Sequence, residues 1–130
     1  MNLNEYQVKS YKAIQPHGTV GEEVVHWTLG LTEEAGEVAS AVKHKHYCGE
    51  CIGVAKIAEE LGDVLWYVSA LCTAYGISLD DVAKLNVAKL EYRYDGANEF
   101  NEEKSANRHK KMEEFSHTKL YKEIVKRMEA

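Results

Sequence analysis

The fold of this chain is decided by residues 22–44, which read EEVVHWTLGLTEEAGEVASAVKH. The apolar residues in this stretch recur at steps of three and four: Val24, Trp27, Leu31, Ala35, Val38 and Val42. This period is typical of an α-helix and excludes a strand, in which apolar and polar side chains alternate. The stretch therefore predicts a long helix with one side facing a core.

A second stretch with the same period follows after a short loop. Between residues 54 and 75 its apolar positions are Val54, Ile57, Ala58, Leu61, Leu65, Val68 and Cys72. Shorter helices are expected over residues 4–14, 79–94 and 119–128, and Ser78 is expected to cap the second of these. The last helix is expected to dock on a partner subunit, because apolar residues are sparse in the C-terminal part. The chain is thus predicted to be an all-α bundle of antiparallel helices, completed by oligomerisation.

The composition is that of an ordinary soluble protein. The chain has 130 residues, with 16 Lys and Arg against 21 Asp and Glu, which gives a net charge of −5. This balance argues against nucleic acid as a partner, because nucleic acid favours a basic surface. No apolar run reaches the ~18 residues of a membrane span, and no signal peptide is visible at the start. Three cysteines without such a signal favour a reduced, cytoplasmic protein.

Two pairs of acidic residues lie within the two long helices: Glu34 with Glu37, and Glu60 with Asp63. Residues three apart point from one side of a helix, so each pair presents two carboxylates together. If the helices pack side by side, four carboxylates meet in a small volume, which a hard cation such as Mg²⁺ would stabilise. Each pair also encloses a glycine, Gly36 or Gly62, which costs ~1 kcal/mol against alanine inside a helix. We expect these glycines to allow close approach of a backbone, a metal or a substrate.

Other interpretations of these residues stay open. Each acid on its own is typical of a solvated helix face, and a non-catalytic helical protein that binds partners or oligomerises would carry such faces. The loop between the long helices contains four residues that could bind zinc: His44, His46, Cys48 and Cys51. A di-iron protein would use Glu-x-x-His pairs, which occur here as Glu23 with His26 and Glu114 with His117.

Around the acidic pairs the sequence resembles the MazG family of all-α nucleoside triphosphate pyrophosphohydrolases. That family has Glu-Glu-x-x-Glu, a spacer and then Glu-x-x-Asp, and this chain has matching blocks at residues 33–37 and 60–63. Similar context continues in Asn86-Val87-Ala88-Lys89-Leu90 and Arg93-Tyr94. The resemblance implies a MazG-like pyrophosphohydrolase domain over residues 1–108, followed by a C-terminal helical extension over residues 109–130.

The resemblance also implies an activity, namely hydrolysis of a nucleoside or deoxynucleoside triphosphate to its monophosphate and pyrophosphate. A metal-activated water would attack the α-phosphate of this substrate. The Mg²⁺ ligands that the resemblance implies, with Mn²⁺ as an alternative ion, are Glu34, Glu37, Glu60 and Asp63. The catalytic residues that it implies are Glu33, Glu34 and Glu37, and the substrate-binding residues are Asn86, Lys89 and Arg93. Glu33 would bind the metal or position the attacking water, and a homodimer or homotetramer is expected.

Overall fold

The computed structural model describes residues 1–14, 18–47, 52–94 and 101–129, and these residues form seven helices and no strand. The helices are Leu3–Tyr11 (α1), Val20–Tyr47 (α2), Val54–Ala74 (α3), Leu79–Arg93 (α4), Glu102–Ala106 (α5), Arg108–Ser116 (α6) and Lys119–Met128 (α7). The predicted all-α class is confirmed. Within the described ranges, no helix combines the length and the apolar character needed to cross a bilayer. The contacts between helices divide the chain into two compact units, residues 1–76 and 77–130.

The first unit is built on the long helices α2 and α3, which pack against each other, while α1 packs against α3. Trp27 of α2 is buried, and the rings of Trp66 and Tyr67 of α3 lie against it with centroids 5.5 and 6.2 Å away. The α1–α3 contact includes a hydrogen bond of 2.8 Å between the hydroxyls of Ser10 and Ser69. The aromatic rings therefore form the centre of this unit, and α1 is joined to it by polar contacts.

The apolar side predicted for α3 faces its neighbours only in part, since Cys72 is buried and Val68 is partly buried. Leu61, the centre of the predicted inward side, is 52% exposed, and Val54 and Leu65 are exposed as well. The adjacent Glu60 is buried instead. The prediction was wrong for these three exposed residues, whereas Val64, Tyr67 and Leu71 on the second apolar side of α3 are partly buried. Within this chain, the side with the large aromatic rings meets α2.

The second unit has its own core around α4, α6 and α7. Phe115 and Ile124 are 1% and 3% exposed, and both pack with Ala88 of α4. The predicted bounds of α7 and the cap at Ser78 are confirmed, since the Ser78 side chain accepts a hydrogen bond of 3.3 Å from the backbone N–H of Asp81. Ile124 of α7 lies against this chain's own α4, and docking of this helix on a partner subunit stays a prediction. The short polar helices α5 and α6 were not predicted.

Candidate metal centre

Three carboxylates from two helices meet in the first unit. One carboxylate oxygen from each of Glu34, Glu60 and Asp63 lies within 4.8 Å of the other two. Glu34 comes from the middle of α2, whereas Glu60 and Asp63 lie one turn apart on α3, so the packing of α2 on α3 creates the cluster. Glu60 is buried, Glu34 is partly exposed and Asp63 is exposed. The structure thus brings together three of the four ligands that the sequence predicts.

Burial and neighbouring charges change the ionisation of Glu34 in this cluster. Partial burial raises the pKa of Glu34 above its usual value, and the negative charges of Asp63 and Glu60 raise it further. Burial also raises the pKa of the Tyr67 hydroxyl, and the charge of Glu34 contributes to that rise. A hard divalent cation would reverse both effects, because it prefers oxygen ligands and carries the opposite charge. The donor set therefore fits Mg²⁺ or Mn²⁺.

Lys56 is a member of this site that sequence reasoning missed. Its ammonium Nζ lies 2.8 Å from Oε1 of Glu60, one turn later on α3, and 3.4 Å from Oε2 of Glu59. These hydrogen bonds raise the pKa of Lys56. The signal was available as a lysine four residues before an acid, which is a common helix pair. It was overlooked because such pairs usually lie on exposed faces, whereas Glu60 is buried.

The two remaining acids of the first block are exposed. Glu37 lies one turn after Glu34 and lines a cavity of about 170 Å³ together with Glu60, Lys56 and His44. Glu33 precedes Glu34 and adds to the repulsion that raises its pKa. The role of Glu37 as a ligand and that of Glu33 as a catalytic residue stay predictions.

Among the described glycines, Gly30 is the one that permits close approach between two helices. A Cβ added to Gly30 would overlap the ring of Tyr67 across the α2–α3 contact. At Gly36 and Gly62, in contrast, an added Cβ would meet nothing within 4 Å. No backbone of this chain therefore approaches these two glycines, and close approach of a metal or a substrate there stays a prediction. Gly30 lies outside the acidic pairs, so their pattern does not predict this contact with Tyr67.

The predicted substrate residues lie on α4, in the second unit. Asn86 is exposed, Lys89 is partly buried, and the guanidinium carbon of Arg93 lies 6.0 Å from the centroid of the Tyr94 ring. The Nε atom of Arg93 is buried and has no hydrogen-bond partner among the described residues. Such a donor is suited to an anion, because an unpaired buried donor is costly. Substrate binding by these residues stays a prediction.

The rival metal sites involve other parts of the chain. Cys48 and Cys51 lie outside the described residues, so the zinc interpretation stays a prediction. Neither Glu23 nor His26 belongs to the carboxylate cluster, although both lie on α2. Glu114 and His117, the second Glu-x-x-His pair, lie in the second unit and do not belong to the carboxylate cluster either.

Comparison with known proteins adds to this geometry. Residues 24–97, which contain both acidic blocks, match the MazG nucleotide pyrophosphohydrolase domain. The Gene 37 protein of Mycobacterium phage L5 is 35% identical over 78 residues, covering 57% of this chain and 68% of the phage protein. The uncharacterized protein YvdC of Bacillus subtilis strain 168 is 34% identical over 76 residues, covering 52% of this chain and 72% of YvdC. No solved structure gives a significant match.

Proposed function

Because the chain belongs to the MazG nucleotide pyrophosphohydrolase family, we propose that it hydrolyses nucleoside triphosphates to monophosphate and pyrophosphate with Mg²⁺ as cofactor. The observation that carries this proposal is the meeting of Glu34, Glu60 and Asp63 within 4.8 Å. Three ionised carboxylates this close would repel one another, and a bound divalent cation would offset that repulsion. Manganese is the alternative ion, because it has a similar preference for oxygen ligands.

The predicted residues have distinct tasks in this proposal. Glu34, Glu60 and Asp63 would hold the metal, with Glu37 as a fourth ligand beside the cavity that it shares with Glu60. The bound metal would lower the pKa of the attacking water and neutralise charge at the α-phosphate. Glu33 would accept a hydrogen bond from that water and orient it. The residues on α4 would hold phosphate oxygens through charge-assisted hydrogen bonds: Asn86, Lys89 and Arg93.

A panel of nucleoside and deoxynucleoside triphosphates tests the proposal. The full chain is incubated with each nucleotide and Mg²⁺, and the products are separated to distinguish pyrophosphate from single phosphate. We expect monophosphate and pyrophosphate in equal amounts, and no products when the metal is chelated. The competing function is a helical protein that only oligomerises or binds partners. That function would be favoured if no nucleotide in the panel were hydrolysed with either Mg²⁺ or Mn²⁺.

The stabilisation of the fold by Mg²⁺ is expected to increase as the pH rises from about 4.5 to about 7.5. The pKa of Glu34 is raised in the folded chain, so its contribution to stability is present below the usual pKa of 4.5. That contribution is lost as the pH rises through the raised value, when the carboxylates repel one another. Mg²⁺ would oppose this loss, so its effect on the melting temperature is largest where Glu34 is ionised.

The measurement is the melting temperature with and without Mg²⁺ across this pH range. Glu34→Gln is the control, because it removes the carboxyl group whose pKa is raised and keeps a side chain of similar size. The variant should show a smaller Mg²⁺ effect with little dependence on pH. An equal Mg²⁺ effect at both ends of the range in the unchanged protein would contradict this explanation.

We also propose that the chain self-associates through the exposed apolar side of α3. This side, the α3 apolar face, consists of Val54, Ala58, Leu61 and Leu65. Gly62 lies beside it with open space around its missing Cβ, which would allow a second backbone to come close. Contiguous exposed apolar surface on a helix often marks a protein interface. A symmetric dimer would cover the α3 apolar face with its own copy, and a tetramer could pair two such dimers.

Leu61→Glu is expected to shift the protein toward smaller assemblies. A charge at a half-exposed leucine would be desolvated in a dimer but would remain in water in a monomer, so only the assembly is penalised. Size-exclusion chromatography with light scattering measures the mass. Leu120→Glu on α7 is the matched control, because Leu120 is 50% exposed and lies away from the α3 apolar face in sequence. An unchanged mass for Leu61→Glu would exclude this face as the interface.

A further inference from the structure

The carboxylate of Glu60 already has a cation beside it. Glu60 is 6% exposed and is the only charged residue among those described that is buried. Lys56 Nζ contacts its Oε1 at 2.8 Å. We propose that Lys56 and the metal ion compete for the Glu60 carboxylate, so that Lys56 must leave before the metal binds and thereby sets the metal affinity. This inference rests on the proposed function, because it assumes that Glu60 is a metal ligand.

The first argument is the cost of an unpaired buried carboxylate. Moving a charged group out of water is expensive unless an opposite charge accompanies it. In the protein without metal, Lys56 supplies that charge to a group that also has Glu34 and Asp63 close by. A divalent cation would bring two positive charges to the same oxygens. The Lys56 ammonium would then be repelled by the bound cation, because two like charges a few ångströms apart at a buried site are poorly screened by water.

The second argument is that Lys56 can leave without a change in the helices. Its side chain is 52% exposed, so it can rotate into water at little cost. Glu59 accepts a second contact from the same ammonium at 3.4 Å, and the Glu59 side chain is more exposed still. The lysine thus has an alternative partner outside the cluster. A rotation about its own side-chain bonds transfers it from the buried acid to the exposed one.

The competing explanation is an ordinary helix-stabilising pair. Lysine and glutamate four residues apart stabilise helices by a few tenths of a kcal/mol, and such a pair has no effect on metal binding. The chain contains a comparison for this explanation, since Lys84 and Asp80 form an ion pair with the same spacing on α4. Asp80 is not part of the carboxylate cluster. Lys84→Met therefore removes a similar helix pair without removing a competitor of the metal.

The test is calorimetric titration of the full chain with Mn²⁺ and Mg²⁺ in the absence of nucleotide. We expect Lys56→Met to bind metal about tenfold more tightly than the unchanged protein, since one attractive contact no longer has to be broken. Lys84→Met should bind metal with unchanged affinity. The melting temperature of Lys56→Met should be lower without metal and should increase more when metal is added. Lys56→Gln, which keeps a donor but loses the charge, serves as a second variant if Lys56→Met folds poorly.

Equal or weaker metal binding by the Lys56 variants would overturn the competition, because it would mean that Lys56 supports the ligand or has no effect on it. Failure of the proposed function can be recognised separately. If the variants bind metal more tightly but no nucleotide is hydrolysed, the competition stands and the activity does not. If the unchanged protein hydrolyses nucleotides and binds metal as tightly as the Lys56 variants do, only the competition fails. Absence of metal binding in the unchanged protein would overturn both.

Discussion

Asp63→Asn is expected to lower the rate of pyrophosphate release by more than about a hundredfold. Loss of a residue that only hydrogen-bonds a metal ligand costs up to about a hundredfold, and loss of the ligand itself should cost more. Asparagine keeps the shape and one oxygen but removes the negative charge that pairs with the metal. The fold should survive, because Asp63 is exposed and is not part of the core. Its removal even relieves part of the repulsion that raises the pKa of Glu34.

The measurement combines turnover with metal titration and circular dichroism. Asp81→Asn is the control, because it makes the same change on α4, outside the carboxylate cluster. We expect the control to keep its rate and its metal affinity. The decisive comparison is the metal affinity: a slower Asp63→Asn enzyme that binds Mg²⁺ as tightly as before would show that Asp63 is not a ligand.

Gly30→Ala is expected to lower the free energy of unfolding by about 1–3 kcal/mol, the usual cost of overpacking a core. The added methyl group would overlap the Tyr67 ring, which cannot move freely because Trp66 lies against it with ring centroids 4.8 Å apart. Trp27 and Trp66 lie next to this contact, so tryptophan fluorescence during denaturant unfolding reports on the affected region. The protein concentration must be held constant if the chain self-associates.

Gly36→Ala is the matched control on the same helix. An added Cβ there meets nothing within 4 Å, so the change should increase stability by up to ~1 kcal/mol through the better helix propensity of alanine. The two substitutions are chemically identical and are expected to have opposite signs. If both destabilised the protein equally, the cause would be a general property of α2 and not the contact with Tyr67.

Much of the fold follows from local sequence rules. The period of three and four predicted α2 and α3, and Ser78 predicted the start of α4, because both signals act within one or two turns. The sequence shows two apolar sides on α3, one around Leu61 and one around Tyr67, and periodicity does not say how completely α2 covers each of them. The burial of Phe115 and Ile124 was missed because it depends on a contact with another helix. Their partner Ala88 lies far away in the sequence.

The candidate site was predictable as a set of residue types more than as a geometry. The spacing of the acidic blocks identified Glu34, Glu60 and Asp63 before their meeting within 4.8 Å was known. Lys56 was missed because its importance depends on how deeply its partner Glu60 is buried, which the spacing along one helix does not determine. Gly30 was missed because the need for a glycine arises from a ring on another helix.

The contact between Gly30 and Tyr67 also fixes the position of α2 along the axis of α3, and with it the position of Glu34 relative to Glu60 and Asp63. If α2 shifted along α3 by one turn, Trp27 or Glu34 would replace Gly30 opposite the Tyr67 ring. Their side chains would overlap the ring, because even a Cβ does not fit there. The two helices therefore have a single register, and the distance from Glu34 to the acids of α3 is set before any ion arrives. Little conformational entropy would then be lost when the metal binds. Engineering of nucleotide preference should therefore keep the contact between Gly30 and Tyr67 and begin with residues on other helices.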